Sequence, residues 1–342
     1  MARAGIIGAS GYTGAELLRL LAGHPQMELV LATGDSNAGA LASDLYPSLA
    51  GPWPDLVFER FDSDRVAMLG LDVVFLGLPH EASMALVPQL AGSVGCVVDL
   101  SAAFRLRDPS LYPQWYGFEH NQVELLERAV YGLPERTRKD LPGATLIATP
   151  GCYVTAATLA LAPLLDAGII GRSGIIVDAA SGVSGAGRVP TATTAFGTVD
   201  ENFTAYGLLD HRHTPEIEQN LGAQVLFTPH LAPMNRGILA TCYARPVGAH
   251  DLSTGSLLEV FATAYAHEPF VVVTSGSPST KASLGSNTAY VTARYDERTG
   301  YVVTLCAIDN LTKGASGGAL QAANVALGLD ETAGLPKAGV YP

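Results

Sequence analysis

Cysteine, charge and long apolar runs are all scarce in this sequence of 342 residues. Its four cysteines are far apart and form no C-x-x-C pair, so neither a disulfide framework nor a zinc site is indicated, and we expect no bound metal. Charged residues make up only 15% of the chain, and the net charge is −12. Because phosphate binding needs clustered Lys and Arg, and those present are scattered, a nucleic-acid partner is not expected.

No apolar run reaches the roughly 18 to 20 residues that a membrane-spanning helix requires, so no membrane partner is expected either. The first residues lead directly into a strand pattern without the shape of a signal peptide, which predicts a cytoplasmic protein. Hydrophobic residues make up 48% of the chain and supply ample surface for buried cores. The length predicts two domains, since a typical domain has roughly 100 to 200 residues.

The residues around Cys152 carry the strongest chemical signal. A short apolar run at 146–148 precedes the breaker Pro150-Gly151, and an Ala/Leu-rich run follows from Thr155. The pattern predicts Cys152 at or just before a helix N-terminus, where unpaired backbone N–H groups and the helix dipole stabilise a thiolate. A thiolate that attacks a carbonyl is one interpretation of this cysteine, and a small buried hydrophobe is the other.

The beginning of the chain has the order strand, glycine loop, helix. Apolar residues 4–7 lead into Gly8, Gly11 and Gly14, and helical leucine spacing follows. This is a variant of the dinucleotide-binding fingerprint, in which backbone N–H groups approach a pyrophosphate at the start of a helix. After a second predicted strand at 27–32, Asp35 favours NAD whereas the Ser36 hydroxyl favours NADP, so this pattern leaves the choice open.

Further buried strands are predicted at 72–78 and 95–100. Their alternation with helices indicates a parallel, doubly wound sheet, whose ligands bind at the carboxyl ends of the strands. Arg105 lies just beyond one such end, where it could bind phosphate or carboxylate through two parallel hydrogen bonds, or only solvate a surface loop. For His80, at the other strand end, a packed structural role is the commoner explanation.

Beyond Cys152 the pattern changes to that of a mixed or antiparallel sheet. A strand at 174–180 opens into a small-residue loop, 181–188, where a ligand could lie close to the backbone. The two strands nearest the C-terminus are joined by a short polar link ending in glycine, which predicts a hairpin. All predicted strands of this region lie at 174–180, 226–229, 237–244, 271–274, 288–295 and 301–308, with helices at 256–267 and 315–327. The last helix is expected to return to the first domain.

Two histidines precede a predicted helix start. Thr214, Pro215 and Glu216 have the pattern of a capping hydroxyl, an initial proline and a first-turn acid, which puts His211 and His213 in the preceding loop. A loop histidine can serve a cysteine as general acid or base because its pKa lies near the working pH. An extended backbone would not let both rings point at one target, so one of them is expected to be structural.

These motifs, together with residues 8–14, 101–105, 131–135, 181–188 and 309–314, resemble the N-acetyl-γ-glutamyl-phosphate reductases of arginine biosynthesis over nearly the whole chain. That family is related to aspartate-semialdehyde dehydrogenase. The resemblance implies an α/β fold: a Rossmann-type dinucleotide-binding domain of residues 1–151 and 312–342, and an α+β catalytic and oligomerisation domain of residues 152–311. A homodimer or homotetramer is expected.

The resemblance also implies a reaction and its residues. NADPH would drive the reductive dephosphorylation of N-acetyl-L-glutamyl 5-phosphate to the 5-semialdehyde through a thioester on Cys152, with His211 as the acid/base partner. The residues that would bind NADP are Gly8, Ser10, Gly11, Tyr12, Thr13, Gly14, Ser36, Ser184, Gly185 and Asn310. Those that would bind the substrate are Arg105, at the phosphoryl group, and Arg188 and Arg236, at the carboxylate. The family commonly has Ser-Arg where this sequence has Gly34-Asp35, which leaves the preference for NADP over NAD open.

Elementary chemistry agrees with this reaction. An acyl phosphate needs a nucleophile that is also a competent leaving group from a hemiacetal, and sulfur meets both needs where serine oxygen fails the second. Backbone N–H groups at the helix start could stabilise the oxyanion. The alternatives are the same chemistry on 2-aminoadipyl or aspartyl phosphate, and a cofactor-binding regulatory protein without turnover. A Cys/His hydrolase is disfavoured by the glycine loop.

Overall fold

The computed structural model describes residues 1–248 and 251–342, which form two compact units. The first unit consists of Met1–Pro150 and Ala315–Leu335, and the second of Gly151–Gly314 and Pro336–Pro342. The sequence suggested that all of 312–342 belongs with the first unit, whereas the structure assigns only 315–335 to it. The last residues lie on the second unit, where the Val340 N–H donates to the Leu284 carbonyl at 2.8 Å.

The first unit is built on a six-stranded, fully parallel sheet of order β2-β1-β3-β4-β6-β5. Its central strands are buried along their whole length, as expected for a sheet covered on both faces. The strands are β1 (Ala2–Ile7), β2 (Met27–Thr33), β3 (Val73–Leu76), β4 (Cys96–Asp99), β5 (Val130–Tyr131) and β6 (Leu146–Ala148). The helices are α1 (Tyr12–Leu21), α2 (Ala42–Leu45), α3 (Ser63–Met68), α4 (His80–Leu90), α5 (Leu111–Tyr116), α6 (Val123–Arg128) and α7 (Pro134–Thr137).

The strand order reverses at β1 and β3, and the loops that follow these strands touch. Gly8 follows β1 with φ +87°, and a Cβ there would lie 2.4 Å from the Gly77 carbonyl oxygen beyond β3. Only glycine fits both the backbone conformation and this approach. The predicted doubly wound parallel sheet is therefore confirmed, and its switch point lies where the glycine loop begins.

The second unit contains a seven-stranded mixed sheet of order β11-β12-β13-β10-β7-β9-β8. Its strands are β7 (Ile175–Gly182), β8 (Thr204–Ala205), β9 (Val225–Ala232), β10 (Ile238–Ala244), β11 (Val271–Val273), β12 (Ala289–Asp296) and β13 (Tyr301–Ile308). Its helices are α8 (Cys152–Asp166), α9 (Phe196–Val199), α10 (Thr214–Leu221), α11 (Thr254–Ala264) and α12 (Thr280–Ser283). The predicted mixed sheet and the β12–β13 hairpin are both confirmed.

Helix α8 forms the centre of the second core. Every residue from Tyr153 to Leu165 is buried, and the helix packs against β10, β13 and α10. Its sequence is apolar on all sides, as in a helix enclosed by other elements. The core therefore fixes the axis of the helix that begins at Cys152.

The chain then returns to the first unit, as predicted. A π-helical turn at Thr312–Ser316 precedes α13 (Gly317–Ala326), which is buried on nearly all sides. The Ser316 hydroxyl donates to the Thr13 carbonyl at 2.8 Å, and Asn324 Oδ1 lies 3.0 Å from His24 Nε2. Among the described residues, no helix combines the length and apolarity needed to cross a membrane.

Candidate active site

Cys152 is the first residue of α8, which confirms the predicted helix start. Gly151 before it is extended, with φ −66° and ψ 146°, and no side chain caps the helix. Cys152 is half-buried, whereas Cys96, Cys242 and Cys306 are buried. Burial raises the pKa of Cys96 and of Cys242 to about 12. Of the four cysteines, Cys152 thus has the access that a nucleophile needs.

Gly151 brings Glu216 of α10 and His213, which precedes that helix, next to the cysteine. Its N–H donates to Oε1 of Glu216, a fully buried carboxylate, at 2.9 Å. The imidazole of His213 lies against its Cα, so closely that a Cβ at position 151 would be 2.5 Å from His213 Nε2. The missing side chain therefore lets an imidazole approach the residue before the thiol.

The π-helical turn packs on the other side of Cys152. A Cβ at Gly314 would lie 2.8 Å from the Cys152 Cβ. The buried carboxylate of Asp309 holds this turn, because its Oδ1 accepts the N–H groups of Leu311 at 2.8 Å and Thr312 at 2.9 Å. A glycine on each side thus defines the position of Cys152.

The histidine loop is turned rather than extended. The Thr214 N–H donates to the His211 carbonyl at 3.0 Å, and the His213 N–H donates to His211 Nδ1 at 3.1 Å. Both imidazoles consequently contact the Tyr153 ring, whose centroid lies 5.7 Å from that of His211 and 5.9 Å from that of His213. The capping role predicted for Thr214 is wrong, because His213 is the N-cap residue of α10 and no side chain caps this helix.

His211 lies inside an aromatic cluster with Tyr153, Tyr206, Phe227 and His213. Burial, followed by the nearby charge of Arg212, lowers the pKa of His211 to about 4. The Tyr153 and Tyr206 hydroxyls are 3.0 Å apart, and burial raises the pKa of Tyr206 to about 12. Near neutral pH His211 and Tyr206 are therefore both uncharged.

The structure brings Ser184, Gly185 and Asn310 together. Asn310 Nδ2 donates to the Ser184 hydroxyl at 3.0 Å, and its Oδ1 accepts the Gly237 N–H at 2.7 Å. A Cβ at Gly185 would lie 3.6 Å from the same Nδ2. These three predicted cofactor residues therefore lie together in the second unit.

The three predicted substrate arginines differ in their surroundings. Arg105 is buried, and it donates to the Thr149 carbonyl at 2.7 Å and the Leu100 carbonyl at 2.8 Å, so its interpretation as a surface residue is wrong. Arg236 forms an ion pair with the buried Asp309 at 3.3 Å. Arg188 is exposed. Arg105 thus holds the segment that leads into Cys152.

His80 has the packed role that was expected. It begins α4, its Nδ1 accepts the Ala102 N–H at 3.0 Å, and its ring contacts Tyr116 edge-on with centroids 5.4 Å apart.

The glycine loop of the first unit is a tight backbone cradle. Gly11 is the N-cap residue of α1, and no side chain caps this helix. A Cβ at Gly14 would lie 2.4 Å from the Ala9 Cα, so helix and loop touch through backbone alone. The cradle fits a dinucleotide, because side chains are absent where a pyrophosphate must approach the N–H groups.

Ser10 and Ser36 border this loop. The Ser10 hydroxyl donates to the Gly34 carbonyl at 3.2 Å and accepts from Asn37 Nδ2 at 3.2 Å. Asp35 and Ser36 are both exposed in a 3₁₀ turn, where Asp35 has the left-handed φ of 45°. The Asp35 carboxylate and the Ser36 hydroxyl are therefore both accessible to a cofactor. Their positions alone do not distinguish NAD from NADP.

Glu216, Asp309, Gly314 and Tyr153 were not identified as site residues from the sequence. Glu216 was noted only as a first-turn acid, and nothing in the polar sequence of its helix indicates that it is buried. Gly314 approaches Cys152 closely, the Tyr153 ring packs on both histidines, and Asp309 bonds the turn that contains Gly314, and local patterns encode none of these contacts.

Comparison with known proteins agrees with the geometry. Residues 3–144 match the family model described as the NAD binding domain of semialdehyde dehydrogenase, and residues 152–310 match its dimerisation domain. Among curated relatives, the chain is 49% identical to N-acetyl-gamma-glutamyl-phosphate reductase of Desulforudis audaxviator over 100% of both chains. It is 48% identical to the reductase of Symbiobacterium thermophilum over 99% of both, and 46% identical to that of Pseudomonas syringae pv. syringae over 100% of both.

Solved structures share the fold. Aspartate semialdehyde dehydrogenase II of Vibrio cholerae superposes with a TM-score of 0.70 at 17% identity, covering 95% of this chain and 98% of that one. The NADP complex of aspartate semialdehyde dehydrogenase from Candida albicans gives a TM-score of 0.66 at 16% identity, covering 95% and 100%.

Proposed function

Since this chain belongs to the N-acetyl-gamma-glutamyl-phosphate reductases, we propose that it reduces N-acetyl-L-glutamyl 5-phosphate to N-acetyl-L-glutamate 5-semialdehyde, with NADPH, in arginine biosynthesis. The observation that carries the proposal is the half-buried Cys152 at the start of α8, preceded by a glycine against which an imidazole packs. A thiol at an uncapped helix start is suited to exist as a thiolate and to attack an acyl carbon.

In the proposed reaction the Cys152 thiolate attacks the carbonyl carbon of the acyl phosphate. The new C–S bond forms a thioester as the C–O bond breaks and inorganic phosphate leaves. Backbone N–H groups in the first turn of α8, which lacks a side-chain cap, stabilise the oxyanion. After reduction to the thiohemiacetal, loss of the hydroxyl proton and cleavage of the C–S bond release the semialdehyde and restore the thiolate.

The proton transfers require a base near the sulfur, and the contacts favour His213 for this role. The His213 ring packs on Gly151, the residue before Cys152, whereas burial lowers the pKa of His211 to about 4. A general acid/base works best with a pKa near the working pH. The sequence-based prediction named His211; we propose that His213 exchanges the proton and that His211 positions it through the bond from the His213 N–H.

NADPH supplies the hydride that reduces the thioester. We propose that Gly8, Gly11, Gly14, Ser10, Tyr12 and Thr13 hold its pyrophosphate at the start of α1, because no side chain caps this helix and the glycines leave its first N–H groups open to approach. Ser36 is proposed for the ribose phosphate. Ser184, Gly185 and Asn310, which are joined by hydrogen bonds and close packing, are proposed for the nicotinamide.

The arginines receive different proposed roles. Arg188 is exposed and suits the substrate carboxylate. Arg105 bonds the carbonyl of Thr149, so we propose that it orients the chain before Cys152 and that its positive charge attracts the phosphoryl group. Arg236, paired with Asp309, is a weaker candidate for the carboxylate.

The reverse reaction tests substrate and mechanism together. Purified protein with NADP, phosphate and N-acetylglutamate semialdehyde should form NADPH, and Cys152→Ser and Cys152→Ala should form none while keeping the wild-type melting temperature. A clear preference for aspartate or 2-aminoadipate semialdehyde would replace the substrate. Wild-type activity in a Cys152 variant, or none with any semialdehyde, would favour the regulatory alternative.

The match to a dimerisation domain supports self-association, and we propose a homodimer or homotetramer. We further propose that the protein acts in the cytoplasm, since amino-acid biosynthesis with NADPH takes place there.

A further inference from the structure

Residues 336–342 lie on the second unit, and we call them the C-terminal segment. They run beside the loop 284–288, which joins α12 to β12. Three hydrogen bonds tie the segment to both ends of this loop. They run from the Asn287 N–H to the Pro336 carbonyl at 2.8 Å, from the Thr288 hydroxyl to the Lys337 carbonyl at 2.7 Å, and from the Val340 N–H to the Leu284 carbonyl at 2.8 Å. The position of the loop therefore depends on the C-terminal segment.

Gly339 lets the C-terminal segment touch the backbone at the end of α12. A Cβ at this glycine would lie 2.2 Å from the Ala282 carbonyl oxygen and 3.2 Å from the Leu284 nitrogen, which leaves no room for a methyl group. Backbone atoms cannot turn aside as the end of a flexible side chain does, so a larger residue must lift the segment off the helix. The segment is thus held by close packing as well as by hydrogen bonds.

The loop 284–288 is in turn bonded to the buried carboxylate of Asp309. The Gly285 N–H donates to Asp309 Oδ2 at 2.7 Å, and Arg236 pairs with the same oxygen at 3.3 Å. The other oxygen, Oδ1, accepts the two N–H groups of the turn that follows Asp309. Because Asp309 is fully buried, losing a donor leaves part of its charge without a partner, which is unfavourable. A movement of the loop therefore moves the carboxylate as well.

The turn that Asp309 holds ends against Cys152. The Gly314 N–H donates to the Asp309 backbone carbonyl at 2.9 Å, so the same residue fixes both the start and the end of the turn. Gly314 packs on the cysteine so closely that a Cβ on it would be 2.8 Å from the Cys152 Cβ. A continuous series of hydrogen bonds and close contacts, all within the second unit, thus joins the C-terminal segment to the cysteine.

We propose that the C-terminal segment, acting through Asp309, positions Cys152 for attack on the substrate. None of these contacts involves the Cys152 sulfur, so the segment and Asp309 are positioning residues rather than catalytic ones. When the segment is displaced, the loop and the turn relax, and Gly314 no longer confines the Cys152 side chain. The thiol then turns away from the helix start that favours its ionised form. The proposal rests on the proposed role of Cys152 as the nucleophile.

Gly339→Ala tests the proposal in the whole chain. Its added methyl group meets the Ala282 carbonyl, whereas Gly197→Ala, the matched control in the same unit, adds a methyl group with nothing within 4 Å. A catalytic group misplaced by about 1 Å loses on the order of 100-fold in rate, and a movement relayed through several contacts is smaller, so kcat of the reverse reaction should fall about 10-fold. KM for the semialdehyde and the affinity for NADPH should stay within about twofold of the wild-type values.

The pH dependence of Cys152 alkylation by iodoacetamide distinguishes positioning from a general loss of stability. In Gly339→Ala the pH of half-maximal alkylation should rise by about half a unit, because the thiolate loses part of its stabilisation by the helix start. A segment that only stabilised the fold would change the melting temperature and leave this pH unchanged. Val340→Pro removes the N–H that bonds the Leu284 carbonyl, so it should act in the same direction and replaces Gly339→Ala if that variant does not fold. Alkylation needs no turnover, so it tests the segment even if the proposed reaction fails.

Combining Gly339→Ala with Asp309→Asn tests the route between the segment and the cysteine. Asp309→Asn keeps the shape of the side chain but replaces the carboxylate by an amide, so it should lower kcat further than Gly339→Ala does. Because both changes act on the same turn, the double variant should be slower than Asp309→Asn alone by no more than about twofold. Wild-type kcat and alkylation in folded Gly339→Ala and Val340→Pro, losses that multiply in the double variant, or an equal loss in Gly197→Ala would overturn the proposal.

Discussion

Replacing Gly151 by alanine would test which of the two histidines, His211 or His213, transfers the proton. The backbone at Gly151, with φ −66° and ψ 146°, suits alanine as well as glycine, so the substitution adds only a methyl group. That methyl would lie 2.5, 2.7 and 2.8 Å from three atoms of the His213 ring. Because these ring atoms belong to a side chain rather than to backbone, the His213 ring must move.

The size of the movement follows from these distances. Ordinary contacts begin at about 3.4 Å, so the ring must retreat by about 1 Å. A misplacement of about 1 Å in a catalytic group costs on the order of 100-fold in rate. Overpacking of this kind costs roughly 1–3 kcal/mol of stability, which leaves a large domain folded. We therefore expect Gly151→Ala to lower kcat 10- to 100-fold, with KM for the semialdehyde changed much less.

The assay is the reverse reaction, accompanied by the rate at which iodoacetamide alkylates Cys152. Gly255→Ala is the control, because its added methyl would have the Ser253 hydroxyl at an ordinary 3.5 Å as its nearest neighbour. His213→Gln should lower kcat at least as far as Gly151→Ala. Wild-type kcat and alkylation in Gly151→Ala, with His211→Gln inactive, would refute the assignment of the proton transfer to His213.

Three further predictions concern the cradle, the cofactor and the buried histidine. Gly14→Ala, whose methyl would meet the Ala9 backbone at 2.4 Å, should weaken NADPH binding at least 10-fold in a fluorescence titration, whereas Gly23→Ala, with open space around it, should not. Asp35→Asn keeps a residue that tolerates φ 45° and removes the charge near the proposed ribose phosphate, so kcat/KM should rise several-fold with NADPH and should not rise with NADH. The pKa of His211, about 4 in the folded protein against an ordinary 6.5, favours the neutral ring, so its contribution to stability is complete above pH 6.5 and is lost as pH falls toward 4. The difference in unfolding free energy between wild type and His211→Gln should shrink by about 1 kcal/mol from pH 7.5 to 5.5; a constant difference would contradict the burial argument.

Most of the fold could be predicted because its signals are local. Buried strands such as β3 and β4 are continuous apolar runs, the glycine spacing marks the first strand-loop-helix unit, and Pro150-Gly151 marks the start of α8. Some predicted strands were too short, because hydrogen bonds extend the observed strand beyond its apolar run. Strand β9, for example, covers Val225–Ala232 instead of the predicted 226–229.

The site was less predictable, because its contacts join residues distant in sequence. The spacing of His211 and His213 suggested that one ring must turn away, but a turn in the loop puts both against Tyr153. By sequence Arg105 could be a surface or a ligand-binding residue, and only the structure shows that it is buried and that it bonds the carbonyl of the distant Thr149. Gly151 lets the His213 ring approach, and Gly314 lets the Cys152 side chain approach. Local sequence patterns do not predict such contacts between distant residues.

The central claim is that Cys152 forms a thioester with the substrate, and one measurement tests it most directly. Wild-type protein mixed with N-acetylglutamate semialdehyde and NADP in the absence of phosphate should oxidise one aldehyde per subunit and then stop, since nothing is present to release the acyl group. Mass spectrometry of the acid-quenched protein should find an added N-acetylglutamyl group on the peptide that contains Cys152. Absence of the NADPH burst, or an acyl group on any other residue, would contradict the account.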